Sequence, residues 1–274
     1  MSATGVRGPG TEYLFDNDSK PANQHHRGLS KLLDPISAAR IGRLLPVLAG
    51  KRCLEVGYGG GTFALWLAAR VGREGRVLAT DLKPLPLPSA DGLRVLSHNV
   101  VTEPIPDAGT WELIHARLLL NHLRERRAVL AKLADALAPG GLLVTEDWQS
   151  ATPDRFVAYA PTEGARNALR AFHAATLAVL DDHGNDRDWA TDAHGAMREA
   201  GLINVYTETS GETWTGGDDG TRLLLGTSVQ VRDEMVASGL ITEAQLDELP
   251  ELLADPEVAI HGHRLYTTSG WRPN

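Results

Sequence analysis

A glycine-rich turn, a few isolated carboxylates and a scatter of histidines are the parts of this sequence that could do chemistry. The run Glu55-Val56-Gly57-Tyr58-Gly59-Gly60-Gly61 closes an apolar stretch and opens a helical pattern. Glycines in such a turn let backbone come close to a nucleotide, and the helix N-terminus adds N–H donors and partial positive charge. Asp81 stands 20 residues beyond Gly61, at the end of the next apolar stretch. A carboxylate there can accept two hydrogen bonds from a ribose diol. Taken alone, these features suit a dinucleotide as well as any other adenosine-bearing ligand.

Three details favour S-adenosylmethionine (SAM). The dinucleotide fingerprint needs a third glycine three places after the second, and counting from Gly59 that place holds Thr62. Glu55 opens the motif, where an acid would repel a pyrophosphate but can face the ammonium of a methionine moiety, directly or through water. The segments Trp111-Glu112-Leu113-Ile114-His115-Ala116 and Pro139-Gly140-Gly141-Leu142 then follow at the distances that fourth and fifth strands require.

A sulfonium is already a strong electrophile, so methyl transfer asks for alignment and exclusion of water, with no metal and no covalent intermediate. A general base helps when the acceptor is a weak acid such as a phenol, an alcohol or an indole N–H. Open parallel sheets place ligands at the carboxyl ends of their strands. Glu146 and Trp148 sit there, the first to orient or deprotonate an acceptor and the second to stack on it; a solvated Glu146 and a core-covering Trp148 are the plain alternatives. His122 is a second candidate base, or a packed histidine bonded to backbone. His25 is a third and His26 its neighbour, although a histidine pair on a surface helix commonly faces solvent. Asn121, His26 and Trp148 are expected along the acceptor. Asp181-Asp182-His183-Gly184-Asn185-Asp186 lacks calcium-loop spacing, and His261 with His263 is too small a set for a metal, so no metal is expected.

These residues need a frame. Apolar stretches at 52–56, 76–80, 94–97, 112–116 and 142–146 read as strands, alternating with helical patterns at 62–71 and 124–137. That alternation implies a parallel sheet covered by helices on both faces. Residues 21–50 read as two helices, the second with Asp34 as cap and Pro35 in its first turn. Beyond Trp148 helices are expected at 161–180, 189–200, 227–238 and 242–253, with Thr242 and Gln245 forming a capping box. Strands are expected at 203–209 and 259–267. The division expected is an N-terminal arm with helices (1–50), a cofactor-binding core (51–148), an inserted helical lid (149–200) and a C-terminal part that completes the sheet (201–274).

Residues 51–148 resemble the core of class I SAM-dependent methyltransferases. The resemblance rests on Glu55-x-Gly57-x-Gly59-x-Gly61, Asp81, His98-Asn99-Val100-Val101, the run from His115 to Leu123, and Pro139-Gly140-Gly141. It implies a Rossmann-like α/β fold with a seven-stranded sheet. It also implies roles: Gly57, Gly59 and Gly61 beneath the methionine and ribose, Asp81 on the ribose hydroxyls, Leu82 against the adenine, Asn99 on the adenine amino group with Val100 nearby, and Ala116 and Arg117 beneath the sulfonium. Many relatives have Asp in place of Asn99. For Arg117 a salt bridge across the sheet edge is the alternative. Tyr13-Leu14-Phe15-Asp16-Asn17 further resembles the Tyr-Leu-x-Asp-Asn arm of actinobacterial natural-product methyltransferases, some acting on indole alkaloids of the teleocidin and physostigmine type. This implies that Tyr13 lines the cofactor pocket and serves the catalytic site, that the arm can come from a neighbouring subunit of a homo-oligomer, and that the acceptor is an aromatic or indole-like small molecule.

Bulk properties agree with a small-molecule enzyme. The net charge of −8 supplies no basic surplus for nucleic acid. No stretch approaches the ~20 apolar residues of a membrane helix, and the N-terminus carries no apolar signal segment. The single cysteine, Cys53, suits a reducing cytosol, so a cytoplasmic location is expected. A dinucleotide-dependent oxidoreductase and a non-catalytic SAM-binding module are the rival readings.

Overall fold

The structure, a computed structural model, describes residues 20–150 and 152–274. In chain order the first half runs α1 (Lys20–Leu44), β1 (Arg52–Val56), α2 (Thr62–Val71), β2 (Arg76–Asp81), β3 (Leu93–Ser97), β4 (Trp111–Arg117), a 3-10 turn (Leu120–His122), α3 (Arg126–Ala136) and β5 (Leu137–Gln149). There follow α4 (Pro153–Phe156), β6 (Val157–Tyr159), α5 (Glu163–Asp182), α6 (Trp189–Glu199), β7 (Ile203–Ser210) and β8 (Thr213–Thr215). The last elements are α7 (Asp219–Gln230), α8 (Arg232–Ala237), α9 (Glu243–Ala254), β9 (Ala259–His261) and β10 (Arg264–Trp271).

Seven strands form one sheet in the order β3-β2-β1-β4-β5-β10-β7. The first five are parallel, and β10 lies antiparallel between β5 and β7. Counting only the strands of this sheet, the order is 3-2-1-4-5-7-6. This is the Rossmann-like class I methyltransferase sheet expected from the sequence. Apolar residues of β1, β4 and β5 point alternately into two buried layers. One holds Leu54, Ile114 and Leu143 with α3 and α6; the other holds Cys53, Leu113 and Val144 with α1 and α2.

A third core lies outside the sheet. Phe156, Leu169, Phe172, Trp214, Leu249 and Ile260 join α4, α5, α7 and α9 to a second sheet of order β6-β9-β8. The part expected as a lid therefore draws on residues 153–182 and 213–261, whereas α6, expected within it, packs on the main sheet through Trp189 and Met197. The two short strands β6 and β8 carry too few residues for a period to show. The single strand expected at 259–267 divides into β9 and β10, which belong to different sheets. The chain crosses between them at Gly262, where an added Cβ would fall 2.6 Å from the Trp214 ring. The helix expected at 227–238 is instead the end of α7 and the whole of α8.

The largest local departure is at Pro35. Two helices are expected there, yet α1 runs unbroken for 25 residues with Pro35 inside it. An interior proline removes one helical hydrogen bond and costs about 3 kcal/mol. Tertiary contacts offset this. Asp34, expected as a cap, accepts from Arg117 Nη2 (2.7 Å) and from Thr62 Oγ1 (2.6 Å), and Ser37 donates to Glu146. Arg40 reaches Thr267, Ser210 (2.6 Å) and Glu208 (3.2 Å). Thus α1 is pinned across β4, β5, β10 and β7, while its first half packs on α7 of the lid.

The capping box at α9 is present: Thr242 Oγ1 accepts from Gln245 N (3.2 Å) and Gln245 Oε1 from Thr242 N (3.0 Å). Thr242→Ala is expected to lower stability by about 1 kcal/mol, read as a shift in denaturation midpoint. An unchanged midpoint would show that the cap contributes nothing to lid stability.

Candidate active site

The strand order reverses between β1 and β4, and the crevice at such a reversal is where open sheets bind ligands. The glycine turn leaves β1 at that point. Gly57, Gly59 and Gly61 have φ values of 70°, 52° and 78°, in the left-handed region. Gly57 N–H donates to Thr80 O (2.7 Å) and Gly59 N–H to Asp81 Oδ2 (3.0 Å). Lys83 N–H donates to Asp81 Oδ1 (3.1 Å). The carboxylate of Asp81 is thereby locked over the turn, with each oxygen keeping a further lone pair. Leu82 beside it is exposed.

Side chains from elsewhere close around this turn. A Cβ at Gly57 would lie 3.1 Å from Leu119, one at Gly59 3.1 Å from the His26 ring, and one at Gly61 would overlap Leu87. The loop after β4 brings Leu119 there through Leu118, a non-glycine residue at φ 50° whose N–H donates to Glu146 O (2.7 Å). A left-handed leucine is strained, and such strain gathers at functional sites.

His25, His26 and His122 collect beside the turn. Burial lowers the His25 imidazole to about 4, helped by the neighbouring His26 and His122. Burial and then Arg126 lower His122 to about 4. His26 is also lowered, by burial, against the opposing pull of Asp81. All three are therefore neutral near pH 7. The 3-10 turn before His122 is fixed by Asp147, which accepts from Asn121 N (3.4 Å) and Trp189 Nε1 (3.1 Å). Burial raises the Asp147 carboxyl to about 7, with Glu146 adding to the rise and the hydrogen bonds resisting it. The Asn121 amide donates to Asn185 (3.2 Å), and among the described residues its buried Oδ1 has no partner.

Beneath the site, His115 lies fully buried between two carboxylates. Its Nδ1 is 2.7 Å from Glu55 Oε2, and its Nε2 is 3.3 Å from Glu146 Oε2. Burial alone would depress this imidazole, but the charge of Glu55 and the bonds to both carboxylates hold it up to about 9. Burial alone would raise Glu146; the hydrogen bond and charge of His115, with Arg117, hold it down to about 2. Glu146 also accepts from Ser37 and from Thr267 Oγ1 (2.7 Å), and Arg40 lies 3.8 Å away.

Several expected roles change. Glu146 is sealed and saturated with partners, so it is not an open base; it is neither solvated nor placed to touch an acceptor. Glu55 is spent at least in part on His115. Arg117 makes the salt bridge to Asp34, bonds Ser37 (2.9 Å) and lies over the Phe63 ring at 5.4 Å. The Asn99 oxygen, expected on the adenine amino group, accepts from Val101 N (2.9 Å) and Thr102 N (3.3 Å), a local turn that an Asn side chain readily makes. Ala116 and Val100 are buried. Trp148 is half-buried at the junction of sheet and lid, 4.9 Å from the His263 ring. Tyr13 lies outside the described residues.

Ser37 and Arg40 were not foreseen, and Asp34 was expected only as a helix cap. A polar His115 in an apolar strand was the one signal available, and register now explains it: Glu55 pairs directly with His115, while Arg117 pairs with Glu146, one diagonal step away.

A family model described as a methyltransferase domain matches residues 24–215, well over half the chain. The chain belongs to this family. Two relatives from Strobilurus tenacellus are similar to it. Methyltransferase str2 is 37% identical over 126 residues, covering 44% of this chain and 42% of the relative. Methyltransferase str3 is 33% identical over 151 residues, covering 54% and 51%. The matched stretches thus span about half the length of these relatives. Among solved structures, phosphoethanolamine N-methyltransferase 2 of Haemonchus contortus, in complex with phosphomonomethylethanolamine and S-adenosylhomocysteine, superposes with a TM-score of 0.52 at 13% identity. That match covers 88% of this chain and 53% of the other. The sheet order and the family match together make this a class I methyltransferase domain of the SAM-dependent type. Among the described residues no helix is long and apolar enough to cross a membrane.

Proposed function

We propose that this chain moves a methyl group from SAM, by direct displacement, to a nucleophilic carbon, nitrogen or oxygen of a small-molecule natural product, aromatic or indole-like. The observation that carries the reading is the latch between Gly59 N–H and Asp81, set among three left-handed glycines that added side chains would strain or crowd. Such a cradle fits SAM, which supplies an activated methyl on its sulfonium. Gly57, Gly59 and Gly61 bring backbone to the methionine and ribose, Asp81 accepts from the ribose diol, and exposed Leu82 gains a partner in the adenine. Asn99 shapes the adjoining turn instead of reaching the adenine.

His25 and His122 are the groups for the acceptor. Each is neutral, so each can accept a hydrogen bond from an indole N–H or a phenol O–H and orient it. Their low basicity makes them positioning groups before proton sinks, which suits a reaction driven by a strong electrophile. Trp148 offers an aromatic face. Support for an aromatic acceptor comes from Trp148; the two sequence relatives are Strobilurus methyltransferases, not the actinobacterial indole-alkaloid type that the Tyr13 arm resembles. A homo-oligomer that exchanges this arm belongs to the same proposal, and light scattering of the purified chain tests it.

The deciding experiment incubates the chain with methyl-labelled SAM and a panel of indoles, phenols and amines. Label is expected to move to a ring-bearing acceptor, and more slowly in His122→Phe. Label retained by the protein without transfer to any acceptor would reduce the chain to a SAM-binding module; retention of NAD in place of SAM would overturn the reading.

A further inference from the structure

A cleft of about 980 Å³ opens where the ends of β5 and β7 meet the first residue of β10 and the edge of the three-stranded sheet. Its size falls in the range of small-molecule sites, and its walls come from both sheets. Two arginines line it: Arg155 from α4 and Arg264 at the start of β10. Both are exposed, and among the described residues neither guanidinium group makes a hydrogen bond or an ion pair. Arg40, Arg117, Arg126, Arg127, Arg187 and Arg232 each hold a carboxylate; Arg76, Arg94 and Arg198 share the unpaired state of Arg155 and Arg264, but only these last two line the cleft. The cleft contains its own carboxylate, Glu212, but that group accepts from Trp214 Nε1 (3.1 Å) and lies out of ion-pair reach of both arginines. Gln149 spends its oxygen on the Tyr266 hydroxyl (3.1 Å), which leaves its amide N–H groups as donors. Thr213 and His261 add polar groups to the same wall.

We propose that this cleft binds a small organic oxyanion, a carboxylate or a phosphate ester, gripped by Arg155 and Arg264. Two like charges on one concave wall repel each other and concentrate field in the cavity, and an oxyanion relieves both effects. The planar guanidinium fork matches carboxylate and phosphate oxygens two at a time. The site is separate from the glycine turn, and its occupation does not require methyl transfer.

The test is calorimetric titration of the full chain with benzoate and with inorganic phosphate, in a chloride buffer of low ionic strength. Wild type is expected to bind at least one probe; preference for benzoate assigns a carboxylic acid, and preference for phosphate assigns a phosphate ester. Arg155→Gln and Arg264→Gln are each expected to weaken binding about tenfold or more, and Arg264→Lys to recover only part of the loss. Arg94→Gln, an exposed change on β3 outside the cleft, serves as control and should leave binding intact. The three Gln variants are surface changes, and unchanged melting curves confirm that they fold. Absence of binding to either probe, undiminished binding in the Arg155→Gln/Arg264→Gln double variant, or an equal loss in Arg94→Gln would overturn the proposal.

Discussion

Replacing His115 by Phe is expected to cost about 3–5 kcal/mol of folding stability, the penalty for stripping a buried charge of its partner. Phe fills the same space beside Phe63, whose ring lies 4.6 Å from that of His115, so little of the loss should come from packing. What remains is Glu55 and Glu146, both out of solvent, without the imidazolium between them. Glu55→Gln in the same chain should recover part of the loss, about 1–2 kcal/mol. The loss also depends on pH in a defined way. His115 is raised from 6.5 to about 9, so its contribution is complete below about pH 6.5 and disappears as pH rises through 9. Glu146 is lowered from 4.5 to about 2, so its contribution is present above about pH 4.5 and disappears as pH falls toward 2. The gap between wild type and His115→Phe in urea unfolding should therefore be widest from about pH 4.5 to 6.5 and should narrow on both sides. A gap below 1 kcal/mol, or one that is flat with pH, would show that no imidazolium bridges these carboxylates.

Asp81→Ala is expected to weaken SAM binding about a hundredfold or more. Two hydrogen bonds to a charged acceptor are at stake, each worth about 1.5–3 kcal/mol. Asp81→Asn keeps one acceptor oxygen and should lose about tenfold. Because Asp81 also receives Gly59 N–H, part of the effect is loss of the turn's shape. Gly61→Ala separates the two causes: it leaves the carboxylate alone, but forces a side chain into a left-handed position against Leu87. Calorimetry with SAM on all three variants, beside their melting curves, reads both effects. Wild-type affinity in Asp81→Ala would remove the ribose role and with it the main support for the cofactor reading.

Much of the cofactor half of the molecule was legible in advance, because its signals are local. The left-handed glycines, the acid that ends β2 and the Thr242–Gln245 box each depend on residues a few places apart, where backbone sterics and short-range hydrogen bonds dictate the conformation. The parallel strands were readable for the same reason, since strands buried on both faces are continuous apolar runs. Pro35 shows where local rules fail. By propensity it starts a helix, yet it sits inside one, held by Arg117, Thr62 and Glu146 from far along the chain.

The sequence by itself determined the glycine turn, the place of Asp81 and the class of sheet that presents them. Only the tertiary structure decided what Glu146 and Arg117 do. The one was expected as a base, the other beneath a sulfonium or in a salt bridge; both are tied to α1, Glu146 by Ser37 and Arg117 by Asp34. It also decided that His25, His26 and His122 gather in one place as neutral groups, and that the second core is assembled from two separated stretches. The physical reason is the same throughout: a side chain's charge and duty follow from its burial and its partners. Those partners, at positions 37, 55, 115 and 146, meet only when the strands take their register and α1 lies across them.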